Sequence, residues 1–285
     1  MTGIDVMFGA PFMQTALIAL AALAVVATVV GVALNLRELE FVSDGLVHAV
    51  FPGVVIGFVA GQGTGPAVYL GAVVAALIAT VLLTLAARRG AGTDAATAVL
   101  LAGTFALGIV IVSRSTSYAT GLESLLFGQL LTISSTDLLI IAVLGAVALL
   151  VVVLTWKEQV SIAFDRDAAQ ASGMPVLRYE LLLNVAIALT VVAASRAVGN
   201  LLVLALLIVP AAIGRLLSFR LAVIVPVAAG AALLSSFVGL VGGYWLSVDA
   251  RLNVSPSAVL VLVLVALYLV VVGVTALLRR KRMRA

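Results

Sequence analysis

The sequence predicts an all-α polytopic membrane protein, a bundle of eight to nine transmembrane helices with a short re-entrant or interfacial helix. Of its 285 residues, 64% are hydrophobic and 10% are charged, whereas a soluble domain carries about 25% charged residues. The mean hydropathy is +1.33, and apolar runs long enough to cross a bilayer core of about 30 Å recur along the chain. These observations exclude a water-soluble protein and indicate one transmembrane domain over residues 1–285.

Nine apolar runs are candidate transmembrane helices. Between the fourth and fifth runs, residues 114–135 contain LLFGQLL, which is too short to span a bilayer and predicts the re-entrant or interfacial helix. Residues 156–179 are charged and partly helical in pattern, and lie outside the spans. The nine runs cover residues 15–34, 41–60, 67–87, 94–113, 136–155, 180–195, 197–217, 221–245 and 257–278.

The basic residues predict the orientation of the chain. With the N-terminus outside and nine spans, thirteen of the sixteen Lys and Arg residues face the cytoplasm, including those of 156–179 and of the tail 279-RRKRMR-284. We therefore attribute the isoelectric point of about 9.9 to topology rather than to nucleic-acid binding. Residues 1–14 lack a basic region and a small-residue cleavage site, so no signal peptide is expected.

Asp44 and His48 lie four residues apart in 41-FVSDGLVHAVFPGVVIG-57, and His48 is the single histidine of the chain. On a helix, such residues share one face, about 6 Å apart. Burying an ionised group in hydrocarbon costs at least ~2.5–3.5 kcal/mol on insertion scales, so each side chain needs a partner or a wet cavity. The pair could be a hydrogen-bonded lock between helices or a site for a divalent cation, and its place inside a membrane favours the second interpretation.

Pro52 lies four residues after His48. Because proline has no N–H, the His48 carbonyl oxygen loses its helical partner, and a kink is expected there. Ser43 and Gly45 would add a hydroxyl and a position of close approach. High-affinity zinc sites have four ligands, and this chain has one histidine and no cysteine, so a metal site here would be weak, as suits an ion in transit.

No motif for hydrolytic chemistry is present: the chain has no GxxxxGK(S/T) loop, GxSxG turn or HExxH helix. We therefore expect a protein that is not an enzyme, and any ATPase that drives it to be a separate polypeptide. The absence of cysteine also excludes disulfides and thiolate metal sites. Glu123, Asp137 and Asp249 are expected to be solvated at span ends or loops, and Asn184 to bond a neighbouring helix.

Four stretches of the chain together resemble the integral membrane subunits of bacterial ABC importers for zinc and manganese. The first is similar to a second-helix signature, Gly-Asp-x-x-x-His-Ala-x-x-Pro-Gly, and the second ends in a recurrent Leu-Phe-Gly. The third is similar to a cytoplasmic Phe-Asp-x-x-x-Ala-x-x-x-Gly stretch, and the fourth to a Val-Gly-x-Leu-Leu-Val-x-x-x-Leu-Ile-x-Pro helix. In order they are 43-SDGLVHAVFPGVVIG-57, 106-ALGIVIVSRSTSYATGLESLLFGQLLTIS-134, 163-AFDRDAAQASGMP-175 and 198-VGNLLVLALLIVPAAIGRLL-217.

The resemblance implies a permease subunit of an ATP-driven importer of zinc or manganese ions in the bacterial cell membrane. It implies a homodimer, separate ATPase subunits, an extracellular solute-binding protein and no permanently bound cofactor. Asp44 and His48 would contact the metal, and residues 156–179 would form a cytoplasmic segment that couples to the ATPase. Within that segment the coupling residues would be Asp165, Asp167, Ala168, Ala169 and Gly173.

Two departures from the family pattern leave these ligands untouched. Ser43 replaces a glycine, and 210-PAAIG-214 stands where the family has Pro-Ala-Ala-Thr-Ala. Histidine favours zinc and carboxylate favours manganese, so the residues leave zinc, manganese and iron open. The alternatives are a proton-coupled secondary transporter that uses Asp44 and His48 as a proton relay, an ABC permease for a metal chelate, or a scaffold that does not transport.

Overall fold

The structure is a computed structural model that describes residues 9–61, 65–86, 92–113, 128–248 and 254–282. Within these ranges the chain forms eleven α-helices and a 3-10 turn at Leu130–Thr132, without a strand. The helices are α1 (Pro11–Leu36), α2 (Glu40–Ala60), α3 (Gly65–Ala86), α4 (Thr93–Val112), α5 (Ser135–Leu154), α6 (Trp156–Phe164), α7 (Arg166–Ala171), α8 (Val176–Val198), α9 (Asn200–Leu217), α10 (Leu221–Val248) and α11 (Pro256–Arg282).

In the described part of the chain, nine helices are long and apolar enough to cross a membrane: α1–α5 and α8–α11. This result confirms the predicted fold class and the predicted spans. The largest difference is at α8, which begins at Val176 and continues to Val198. Gly199, with φ of 79°, is the single residue between α8 and α9. A positive φ has no steric cost for glycine, so the helix can break there within one residue.

The predicted re-entrant or interfacial helix falls largely on residues 114–127, which lie outside the described residues. The chain that follows is held against the junction of α8 and α9. Gln129 donates its backbone N–H to the carbonyl oxygen of Arg196 at 3.1 Å. Gly128 has a φ of 72°, and a Cβ atom there would lie 2.4 Å from the backbone nitrogen of Gly199. This contact requires glycine at position 128.

Helices α1 and α8 form the centre of the bundle. Helix α1 packs against α5, α8, α9 and α10, while α8 contacts α1, α2, α3, α5 and α9. Helices α2, α3 and α4 group on one side, and α9, α10 and α11 group on the other. Among the spans, α2 and α8 are the most buried and α4 and α11 the least. Helix α2, which carries Asp44 and His48, therefore lies between the central α8 and the exposed α4.

Glycines set the close packing of α2 against α3. A Cβ atom at Gly53 would lie 2.3 Å from the carbonyl oxygen of Gly71, and one at Gly57 would lie 2.4 Å from that of Ala67. Because lipid gives little hydrophobic drive for helix association, small residues that let backbones approach supply much of the contact. The backbone of α2 is thus held directly on α3 along the half of the helix beyond Pro52.

Several polar side chains inside the bundle bond to nearby helix backbone or to each other. Thr84 donates to the carbonyl oxygen of Thr80 at 2.7 Å, and Thr190 donates to that of Ala186 at 2.8 Å. Asn184 of α8 donates to the hydroxyl oxygen of Thr84 of α3 at 3.2 Å. The last contact confirms the prediction that Asn184 bonds a neighbouring helix.

The glycine contact between α2 and α3 gives a stability prediction. Replacement of Gly53 by alanine should destabilise the protein by about 1–3 kcal/mol, because the added methyl group forces two backbones apart. The measurement is the midpoint of thermal unfolding in detergent. The control is Gly230→Ala, where a Cβ atom meets nothing within 4 Å. Equal midpoints for the two variants would contradict the packing described for α2.

Candidate functional site

Asp44 and His48 lie on one face of α2, one turn apart. The Asp44 Oδ1 and His48 Nε2 atoms are 3.5 Å apart, and the two side chains are 29% and 28% exposed. The predicted shared face is therefore confirmed. Both side chains remain partly exposed at the surface of the chain. A hydrogen-bonded lock between helices would not need this exposure, whereas a site that receives an ion would.

Helix α4 supports the histidine. The imidazole of His48 meets the ring of Phe105 edge to face, with ring centroids 5.4 Å apart, and Phe105 also lies 5.8 Å from the ring of Phe51. Small residues allow this approach: a Cβ atom at Gly45 would lie 2.5 Å from the methyl group of Thr97. Gly45 is therefore a position of close approach, as predicted, and the helix that approaches it is α4.

Two neighbours of the pair contribute less than their residue types suggested. Ser43 is buried, and its hydroxyl donates to the carbonyl oxygen of Glu40 at 2.7 Å, so it is engaged within its own helix. Pro52 is buried one turn beyond His48, inside a helix that runs through it from Glu40 to Ala60. The predicted kink at Pro52 stays a prediction.

The pair alone supplies two protein ligands for a divalent cation. Among the described residues, His, Cys, Asp and Glu side chains form no group of three or more that could hold a metal ion. Carboxylate oxygen and imidazole nitrogen together suit manganese, iron and zinc. The pair by itself would therefore leave coordination positions of a bound ion open.

The segment 156–179 folds into α6 and the short α7. Asp165 begins α7 by accepting a hydrogen bond from the Ala168 N–H at 2.9 Å. The helix ends at Ala171, Gly173 follows with a φ of 85°, and the Met174 N–H returns to the Ala169 carbonyl oxygen at 3.2 Å. This closure is the Schellman motif that glycine favours.

One face of α7 is exposed and the other is packed. Asp165, Asp167, Ala168 and Gly173 are exposed, whereas Ala169 is buried in a small apolar cluster with Ile162 and Val176. Phe164, at the end of α6, is 94% exposed.

Charged and polar side chains around α7 form a network of contacts that we call the Glu180 network. Its members are Arg37, Gln159, Arg166 and Glu180. Glu180 Oε1 is 2.9 Å from Arg166 Nε and 3.3 Å from Arg37 Nη2. Arg37 also donates to Gln159 Oε1 at 3.0 Å. Burial lowers the pKa of Arg37 and the negative charge of Glu180 opposes that shift, while the hydrogen bond and charge of Glu180 raise the pKa of Arg166.

Sequence reasoning missed this network because it treated Arg37 and Arg166 as topology signals alone. The signal that could have found it is Glu180, an acidic residue at the start of an apolar span. A cavity of about 670 Å³ adjoins the network at the predicted cytoplasmic end of the bundle. Its walls come from α2, α3, α7, α8 and the adjoining loops, and include Arg37, Arg166, Glu180, Thr84, Asn184 and Gln170.

At the opposite end of the bundle, the expectation that Asp137 is solvated is wrong. Asp137 is buried, and its carboxylate caps α5 together with Ser134, accepting from the Ser134 N–H at 3.0 Å. Its Oδ1 atom also lies 3.4 Å from Arg196 Nη1 of α8. The aspartate is held by a helix start, which the spacing Ser134-x-x-Asp137 before an apolar run could have revealed, and by a cation from another span, which the sequence could not reveal. Glu123 and Asp249 lie outside the described residues.

Comparisons with known proteins agree with this architecture. The model of the ABC 3 transport family matches residues 9–275. The manganese transport system membrane protein MntC of Halalkalibacterium halodurans is 32% identical over 237 residues, which are 83% of this chain and 80% of the relative. The manganese import system permease protein ScaB of Streptococcus gordonii is 32% identical over 251 residues, which are 88% of each chain.

Two solved structures share the fold. A chain of PsaBC from Streptococcus pneumoniae, solved in complex with Fab, is 32% identical and superposes with a TM-score of 0.80, covering 94% of this chain and 93% of that one. A transporter described as of the metal-chelate ABC type, in an inward-facing conformation, superposes with a TM-score of 0.71 over 92% of this chain and 85% of that one. At 16% identity, the second supports the fold alone.

The chemistry of the pair predicts that acid weakens metal binding. Imidazole binds a metal only when it is neutral, and a carboxylate only when it is ionised, so protons compete with the cation. We expect binding of Mn²⁺ or Zn²⁺ to the purified chain to weaken as the solution is made more acidic. Isothermal titration at several pH values measures this. A profile that is flat, or that His48→Gln leaves unchanged, would mean that His48 is not a ligand.

Proposed function

This chain belongs to the ABC 3 transport family and is the multi-pass membrane permease of a metal-ion ABC importer, and we propose that its cargo is Mn²⁺, passing the pair Asp44 and His48. The geometry of that pair carries the proposal. The two groups can bind a metal, lie on one face of a transmembrane helix, and are 3.5 Å apart and partly exposed. Ionisable side chains are costly inside a membrane and commonly mark an ion pathway, so this arrangement supports a permeation path.

Manganese fits the available ligands and the relatives. The relatives MntC and ScaB are named as manganese transport or import proteins. A carboxylate is a ligand that Mn²⁺ prefers, and the softer thiolate ligands that favour zinc or copper are absent because the chain has no cysteine. Zinc, which the imidazole also suits, is the second cargo to be tested.

A homodimer would complete the site. One chain offers two ligands from this pair, and Mn²⁺ usually takes about six, mostly oxygen. The pair is partly exposed on its own chain, so a second copy placed on that face would bring four protein ligands together, with water filling the rest. Weak binding of this kind allows release, which conduction requires.

We expect two kinds of partner protein, ATPase subunits and a solute-binding protein. No nucleotide-binding loop occurs in the sequence, so ATP would be hydrolysed by separate ATPase subunits. The exposed face of α7, with Asp165, Asp167, Ala168 and Gly173, would dock on them, beside the exposed Phe164. An extracellular solute-binding protein would deliver the ion to the opposite end of the bundle.

The other transport mechanisms are less well supported. A proton-coupled carrier would need Asp44 and His48 to pass protons without an ATPase, and membership of an ABC transport family argues against it. The likeness to the metal-chelate type of transporter lies at 16% identity, against 32% for the manganese relatives. A bare ion is therefore the better supported cargo.

Loss of either ligand should stop import. We expect Asp44→Ala and His48→Ala each to lower Mn²⁺ uptake by at least about tenfold, since even supporting groups at metal sites contribute about 10- to 100-fold. The measurement is uptake of labelled Mn²⁺, and of labelled Zn²⁺ in parallel, by cells that express the complete transporter.

The control for these variants is Ser43→Ala, which changes the same helix at a hydroxyl that bonds only within it. Membrane insertion and assembly with the ATPase must match the parent in all three variants. Near-parental uptake in both ligand variants would mean that the pair is structural and that the ion takes another path.

A second prediction concerns the docking face of α7. Ala168 is exposed, so Ala168→Arg should leave the fold intact while it weakens assembly with the ATPase or reduces transport for each ATP hydrolysed. Ala168→Ser is the matched control, because a small side chain keeps the face flat. Co-purification of the ATPase and the ratio of uptake to hydrolysis measure the effect. Normal assembly and transport by Ala168→Arg would place the docking surface elsewhere.

A further inference from the structure

Glu180 joins three elements through one carboxylate oxygen. Its Oε1 atom contacts Arg166 of α7 at 2.9 Å and Arg37 at 3.3 Å, and Glu180 itself belongs to α8. The side chain of Arg37 is 7% exposed, that of Glu180 is 15% exposed and that of Arg166 is 49% exposed. The contact with Arg37 is thus the buried one, and the contact with Arg166 is the one open to solvent.

Arg37 occupies the corner between α1 and α2, and this corner is rigid. Its backbone N–H bonds the carbonyl oxygen of Leu34, and the Leu39 N–H returns to the same oxygen. Between them Glu38 adopts a φ of 54°, a conformation uncommon outside glycine, which persists only when its surroundings enforce it. A displacement of the Arg37 side chain is therefore passed to the backbone that begins α2.

The first turn of α2 is also tied to α9. Asn35, at the end of α1, donates its side-chain amide to the carboxylate of Glu40 in that turn. Arg215 of α9 in turn donates to the side-chain and backbone oxygens of Asn35 at 2.9 and 2.8 Å. Asp44 lies one turn beyond Glu40 on α2. The chain of contacts from α7 to the start of the helix that holds the metal ligands is continuous.

We propose that Glu180 is a positioning residue that couples α7 to α2, so that movement of α7 on the ATPase shifts the helix that carries Asp44 and His48. This inference rests on the proposed function. In this proposal the Glu180 network neither docks on the ATPase nor contacts the metal. It connects the docking helix α7 to the metal-binding helix α2. Coupling between distant sites travels through contiguous networks of this kind when their elements move as units.

The two contacts of Glu180 differ in solvent exposure and are expected to differ in their response to salt. The buried Arg37 contact is poorly screened by salt and stays closed, whereas the half-exposed Arg166 contact is screened and can open and reform. Arg166 is therefore the connection that can be cut without disturbing the interior. Glu180→Gln removes the anion from both arginines and leaves the buried Arg37 without a counter-charge.

The experiment uses the complete transporter, with its ATPase, reconstituted in proteoliposomes and supplied with the metal-loaded solute-binding protein. Mn²⁺ uptake and ATP hydrolysis are measured together. Arg166→Gln should keep assembly and hydrolysis while the Mn²⁺ imported for each ATP falls about fivefold or more, the lower range of allosteric coupling. Arg166→Lys, which keeps the charge, should restore most of that ratio.

The control is Arg220→Gln, which removes a positive charge between α9 and α10, outside the coupling segment 156–179. Arg220 is exposed and makes no ion pair among the described residues, so its ratio should equal that of the parent. The double variant Arg166→Gln with Glu180→Gln should be no worse than Glu180→Gln alone, because residues that act through one contact are not additive.

Three outcomes overturn the proposal. They are an unchanged ratio in Arg166→Gln, an equal fall in Arg220→Gln, and additive losses in the double variant. A fall in assembly or thermal stability with an unchanged ratio would show that the network only holds the fold. If the parent complex itself imports no Mn²⁺, the proposed function is wrong and the coupling role fails with it, so the two failures are distinguishable.

Discussion

The structure depends on one constraint: the hydrocarbon interior of a membrane cannot solvate a polar group. Backbone groups must then bond within helices, which is why the described chain is helical throughout its spans. Several polar side chains inside the bundle also find partners. Thr84 bonds the turn before it, Asn184 bonds Thr84, and Asp137 combines a helix cap with a cation. The contacts of Asn184 and of Asp137 with Arg196 join different helices.

The same constraint makes charged side chains more common at the two ends of the bundle than in its middle. Charged groups collect where spans end, and there they form networks instead of isolated pairs. At one end Asp137 and Arg196 connect α5 with α8. At the other, Glu180 connects α8 with α7 and with the corner between α1 and α2. Helix α8 takes part in both sets of contacts and lies at the centre of the bundle.

Asp44 and His48 differ from these groups in their surroundings. They lie inside a span, and the contact between them, at 3.5 Å, is longer than a well-formed hydrogen bond. Both side chains remain partly exposed, on the face where α4 supports the imidazole through Phe105. A pair left incompletely satisfied in a membrane is suited to receive a cation and to release it. The neighbouring glycines keep α2 close to α3 and α4, and so hold the pair on a defined helix face.

The sequence by itself determined the spans found in the described residues and the shared face of Asp44 and His48, because each depends on hydrophobic length or helical period. Tertiary structure decided which polar groups meet. It buried Asp137 against Arg196, turned the Ser43 hydroxyl back onto its own helix, placed Ala169 in a core and brought Arg37, Arg166 and Glu180 together across 143 positions of the chain. These contacts join residues far apart in sequence, and the pattern along a single helix contains no information about which other helix will lie beside it.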